Sequence, residues 1–156
     1  MGRAMFYQLG GISLEATLPR LLERALDAGW KVDLRGRDAA RLERLDAALW
    51  LGPEAGFLPH GLEGGAHDAR QPVLLTTAAT ARPDAACVMA IDSAEIDPAE
   101  AAVLERVCIL FDGQDQMQLT AARGQWRALT SAGVVAEYWA EEDGRWQKRM
   151  STADRG

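Results

Sequence analysis

The chain has 156 residues, 48% hydrophobic and 26% charged, with a net charge of -6. That suits one domain with a real core and is too little for two comfortable ones. The acidic balance speaks against non-specific binding to a phosphate backbone, which draws on many Lys and Arg contacts, and no run approaches the ~18 consecutive apolar residues that span a bilayer.

The opening MGRAMFYQLG has no apolar signal core, and Phe6 stands where a myristoylation motif needs Ser or Thr. Ala4 to Leu9 is short, aromatic and apolar, and Gly10-Gly11 follows, so it reads as a first strand and a turn. Leu14, Leu18, Leu21, Leu22, Ala25 and Leu26 recur at helical spacing up to Gly29. Pro19 either falls in the first turn of a helix starting near Thr17 or bends that turn. Trp30 to Leu34 reads as a second strand. Asp38 then caps a helix carrying Leu42, Leu45, Leu49 and Trp50 on one side. Residues 52–71 form a long loop rich in Gly, Pro and charge, a length that is usually functional or mobile. Val73 to Thr77 and Cys87 to Ile91 read as strands, and Pro98 opens a short helix to about Glu105. Val107 to Phe111 is wholly apolar, as a central strand covered on both faces would be. A long helix from about Asp115 to Ala132 turns Leu119, Ala122, Trp126 and Leu129 inward. Val134 to Trp139 is strand-like, and Arg145 to Arg149 pairs back across the Gly144 turn as an edge hairpin.

Alternating strands and helices predict an α/β fold: a three-layer αβα sandwich, Rossmann-like, with a mixed, mostly parallel sheet and a C-terminal edge hairpin. The domain covers residues 1–150, and residues 151–156 are a fraying tail.

Such a class raises nucleotide binding, and fold alone does not decide it. The first βα junction, Leu9-Gly10-Gly11-Ile12-Ser13, lacks the third glycine of GxGxxG, and no GxxxxGK[ST] occurs. GxSxG is absent too. Cys87 and Cys108 lie in apolar runs and read as buried thiols of a reducing, cytoplasmic compartment. His60 and His67 share no metal-ligand spacing with them, so no metal or cofactor is expected. His60 reads as a loop side chain bonded to backbone, or as a partner contact. Asp112, after the buried strand, is expected to cap the following turn or helix.

The remaining chemistry is aromatic and cationic. Arg123, Trp126 and Arg127 are neighbours on one helical surface. With Trp50 at a helix end and Phe57 in the loop after it, they predict an apolar pocket rimmed by guanidinium. An Arg forks onto a carboxylate while an aromatic slot takes an apolar side chain, so the fitting ligand is an acidic peptide with an apolar end and a free C-terminal carboxylate.

FYQL, RLDAALW ending at Trp50, FLPH from Phe57 to His60, ILFDG from Ile109 to Gly113, AARGQWRALTSAG from Ala121 to Gly133, the YW that follows and the closing Arg-Trp hairpin together resemble the chi subunit of bacterial DNA polymerase III. The resemblance covers nearly the whole chain and is weakest from Gly61 to Glu105. It implies a non-catalytic accessory subunit of the clamp-loader complex in DNA replication. Its partners would be the acidic C-terminal tail of single-stranded DNA-binding protein and a psi subunit or the clamp loader, with DNA reached only indirectly. By motif position the tail pocket would use Trp50, Phe57, Phe111, Arg123, Trp126 and Arg127, with Arg123 meeting the terminal carboxylate. Leu119 and Thr130, one turn to either side, are not basic where some chi subunits are. Two other readings stay open: an enzyme or nucleotide-binding domain with a site near Asp112 and His60, and a direct single-strand binder stacking bases on tryptophan.

Overall fold

The computed structural model describes residues 2–51 and 59–152. Its elements are β1 (Arg3–Leu9), α1 (Leu14–Asp27), β2 (Val32–Arg35), α2 (Ala39–Trp50), β3 (Gly61–Leu62), β4 (Val73–Thr76), β5 (Cys87–Ala90), α3 (Pro98–Val103), β6 (Arg106–Asp112), α4 (Gln116–Ser131), β7 (Val135–Glu142) and β8 (Arg145–Ser151). The eight strands form one mixed sheet in the order β3-β4-β2-β5-β6-β1-β7-β8. Every neighbouring pair is parallel except the β7–β8 hairpin.

Strand alternation divides the core in two. Met5, Leu34, Met89, Cys108 and Leu110 pack with Leu18 and Leu22 of α1 and with Leu42, Leu45 and Leu49 of α2. Phe6, Val88, Ile109 and Phe111 pack with Ala101 of α3 and with Ala122 and Leu129 of α4. So α1 and α2 cover one face of the sheet, and α3 and α4 the other. Burying each large side chain contributes about 1.5–3 kcal/mol, and β6, buried from Val107 to Phe111, feeds both faces.

Helix α1 starts earlier than the proline alone predicts. The Ser13 side chain accepts from Ala16 N–H at 3.2 Å and fixes the N-terminus there, leaving Pro19 inside the helix. A helical Pro19 has no N–H for the carbonyl four residues back. The long loop expected over residues 52–71 contains the short strand β3 and a 3-10 turn, Asp68–Arg70. Strand β8 reaches Ser151, and the Thr152 hydroxyl accepts from Ala136 N–H at 2.9 Å, so the sheet extends into the segment expected to fray.

Two of the Arg–carboxylate pairs among the described residues lie inside. Arg35 forks onto Glu100 at 2.7 and 2.9 Å and also donates to the Glu95 carbonyl, joining β2 to α3. Arg82 meets Asp33 at 2.5 Å and caps three backbone carbonyls, those of Asp68, Gln71 and Val32. Cys87 and Cys108 are buried free thiols. The Cys108 neighbour and burial together push the Cys87 thiol well above its ordinary pKa. Among the described residues no helix is long and apolar enough to cross a membrane.

Candidate functional site

Helix α4 is set firmly before it presents anything. Its cap Asp115 accepts from the N–H groups of Met117 and Gln118. The Gln118 side chain in turn accepts from Asp112 N–H at 2.9 Å, tying the helix to the end of β6. Gln125 makes a two-way bridge to the Ile96 backbone, at 2.8 and 3.3 Å. With Ala122 and Leu129 buried beneath, Arg123 and Arg127 stand exposed one turn apart and Trp126 lies half-buried between them.

These three side chains line a recess of about 310 Å³, together with Tyr138 of β7 and Arg149 and Met150 of β8. Its apolar wall is an aromatic stack. The Trp126 ring meets Phe6 edge-on at 5.2 Å and Tyr138 at 6.0 Å. Tyr138 lies parallel to Phe6 at 6.5 Å and across Phe111 at 5.8 Å, and its hydroxyl donates to the Gln8 side chain. Such ring pairs prefer these edge-on and offset arrangements, and each is worth about 0.5–1.5 kcal/mol beyond its buried area. Burial raises the Tyr138 pKa and the Arg123 guanidinium opposes that rise, so the phenol stays neutral. Among the described residues neither Arg123 nor Arg127 has an ion-pair partner. Thr130, in the following turn, bonds back to the Trp126 carbonyl at 2.7 Å, while Leu119 packs on the core.

The expected residues are not all brought together. Phe111 is 2% exposed, so it supports Tyr138 from below and is not itself a contact surface. Trp50 is 51% exposed at the end of α2, on the opposite face of the sheet, with its ring 4.1 Å from that of His60. Phe57 lies outside the described residues. His60 is buried, with Nε2 3.3 Å from the Asp46 carbonyl oxygen, which matches the expected backbone bond. Asp112 accepts from Gln114 N–H at 2.9 Å, closing its own turn as expected. His60 adjoins β3 and Asp112 ends β6, four strand spacings or roughly 19 Å apart, so the two do not share a site.

A family model described as DNA polymerase III chi subunit, HolC, matches residues 1–137. The chain belongs to the DNA polymerase III chi subunit family. Chi is an accessory subunit of the replicative polymerase, which places this protein in DNA replication. No curated protein matches the chain.

In this chi-family chain the first βα junction is already occupied from within. The Glu141 carboxylate accepts from Gly10 N–H at 3.2 Å and Ile12 N–H at 3.0 Å with one oxygen, and from Gly144 N–H at 2.8 Å with the other. These donors hold its pKa below the usual carboxylate range. A phosphate at this junction would have to displace Glu141. The fit is also tight: a Cβ at Gly10 would come within 2.4 Å of the Glu141 carbonyl oxygen. In the adjoining crevice, of about 240 Å³, the cation Arg41 is bound by Glu15 at 2.7 Å and Asp92 at 3.2 Å. Among the described residues no group of three His, Cys, Asp or Glu is placed to hold a metal.

Tyr138, Arg149 and Met150 are recess residues that the sequence pattern does not single out. The pairing explains why. Tyr138 pairs with Met150 but Trp139 pairs with Lys148, so Arg149 is an extra residue in β8. Such a bulge re-aims side chains, and here two consecutive residues line one recess where regular alternation would split them between faces.

Proposed function

We propose that this protein is a non-catalytic adaptor of the clamp-loader complex that holds the acidic C-terminal tail of single-stranded DNA-binding protein in the α4–β7–β8 recess. The observation that carries this is the pair of exposed guanidiniums, Arg123 and Arg127, without an ion-pair partner among the described residues, over the half-buried Trp126 edge. Guanidinium forks match carboxylates, and an aromatic slot beside them takes an apolar end group. The identity of the tail comes from the family. The three-layer, Rossmann-like scaffold then serves as a frame and takes no cofactor. DNA is reached only through the tail, and the protein works in the cytoplasm. The exposed Trp50–Leu51 end of α2 is on the other face, so a psi subunit or clamp-loader partner held there leaves the recess free.

Calorimetric titration with a short acidic peptide ending in a free phenylalanine carboxylate tests this. Arg123→Ala removes a charge-assisted contact worth about 1.5–3 kcal/mol, so affinity falls roughly tenfold or more. A wild-type protein that ignores the peptide, or a variant that binds it undiminished, contradicts the assignment.

A further inference from the structure

The cationic rim of the recess is short on α4 itself, because Leu119 and Thr130 flank the two arginines. The hairpin supplies what the helix lacks. Strand β8 begins at Arg145, beyond the residues 1–137 that the family model matches. The one-residue slip at Arg149 brings this side chain and that of Met150 together into the recess. Met150 is 46% exposed, an adaptable thioether beside Tyr138 and Trp126. Arg149 is not free, however. It is ion-paired with Glu142 of β7, and both side chains are well exposed, at 43% and 58%.

We propose that Arg149 is the third guanidinium of the tail site, a specificity residue carried by the hairpin, and that Glu142 is an internal carboxylate which the incoming peptide displaces. This rests on the tail-binding role given to the recess above. An exposed pair of this kind is weak. Exchanging the Glu142 carboxylate for one from the peptide therefore meets little resistance, and the peptide adds an aromatic contact that Glu142 cannot make. Glu142 thus acts as an occupant of the rim that sets a threshold: a lone acidic residue gains nothing over it, while an acidic run with an apolar end does. Neutralising Glu142 frees Arg149 and makes the site more receptive.

The test is calorimetry on the full chain with the same acidic, phenylalanine-ended peptide, using wild type, Arg123→Ala, Arg149→Ala, Glu142→Gln and the Arg149→Ala/Glu142→Gln double variant. Circular dichroism confirms that each variant is folded, as substitutions of exposed hairpin side chains should allow. Arg149→Ala is expected to weaken binding about three- to tenfold, and Glu142→Gln to tighten it about two- to fivefold. In the double variant the gain from Glu142→Gln disappears, because the cation it would release is gone. Wild-type binding that is lost with Arg123→Ala but unchanged by Arg149→Ala overturns this inference and leaves the recess assignment standing. An equal gain from Glu142→Gln with and without Arg149 overturns the displacement mechanism, since Glu142 would then act only as a nearby negative charge. No binding by wild type overturns the recess assignment itself.

Discussion

Tyr138 organises the site more than any residue that touches solvent there. One ring is packed on Phe6, Phe111 and Trp126, and its hydroxyl is bound to Gln8. This makes the recess wall a continuation of the core, so Trp126 is both a core residue and a wall. Its helical position among inward-facing residues carried the first half of that in the sequence. The second half depended on which strand lies beside α4. Charges in the core show the same limit. Asp33 and Arg35 lie in a strand whose every residue is buried, and their partners come from Arg82 and Glu100, distant in the chain. Short strand patterns do not reveal such pairs. Glu100→Ala leaves Arg35 as a buried cation without its fork, and also frees Ala81 N–H. Unfolding in denaturant is expected to show a loss of about 3–5 kcal/mol; a loss under 1 kcal/mol means that the pair is dispensable.

At the scale of elements, helices were readable where a cap coincided with a periodic apolar run. Asp38 caps as the sequence predicts, and Asp115, where the long helix is expected to begin, proves to be its cap. Pro19 leaves the start of α1 open between Thr17 and an earlier first turn bent by the proline; the Ser13 cap decides for the earlier start, and packing of Leu18 and Leu22 holds the helix through the proline. The hairpin was visible in the Gly144 turn, but its bulge was not, since nothing in RWQKRM marks Arg149 as the extra residue. Nor was the link between hairpin and first turn, made by Glu141. The pKa of this carboxyl is lowered in the folded protein. Its contribution is therefore present above the unfolded value of about 4.3 and is lost as pH falls through the folded value. Denaturation midpoints measured from pH 7 down to pH 3 should fall less steeply for Glu141→Gln than for wild type. Parallel curves would show that the Gly10–Ile12 turn does not depend on this charge.

For the whole molecule, the sequence conveyed the α/β class and the run of strands, but not which face each helix covers. The reason is topological. From β1 the chain travels past β6 and β5 to reach β2, whereas α4 returns it across β1 to β7 on the other side. With right-handed crossovers, opposite directions of travel put the helices on opposite faces. Trp50 and Trp126, grouped by their chemistry in the sequence, are thereby separated by the sheet. The division suits the adaptor role proposed above, in which two partners held on two faces would not compete. It also yields the most direct test of the tail binding proposed for the recess. In ¹⁵N-labelled protein titrated with the acidic, phenylalanine-ended peptide, the Trp126 indole N–H and the backbone signals of Arg123, Arg127, Arg149 and Met150 are expected to shift, while the Trp50 indole holds still. Shifts centred on Trp50 and His60, with the Trp126 indole unmoved, would contradict the account.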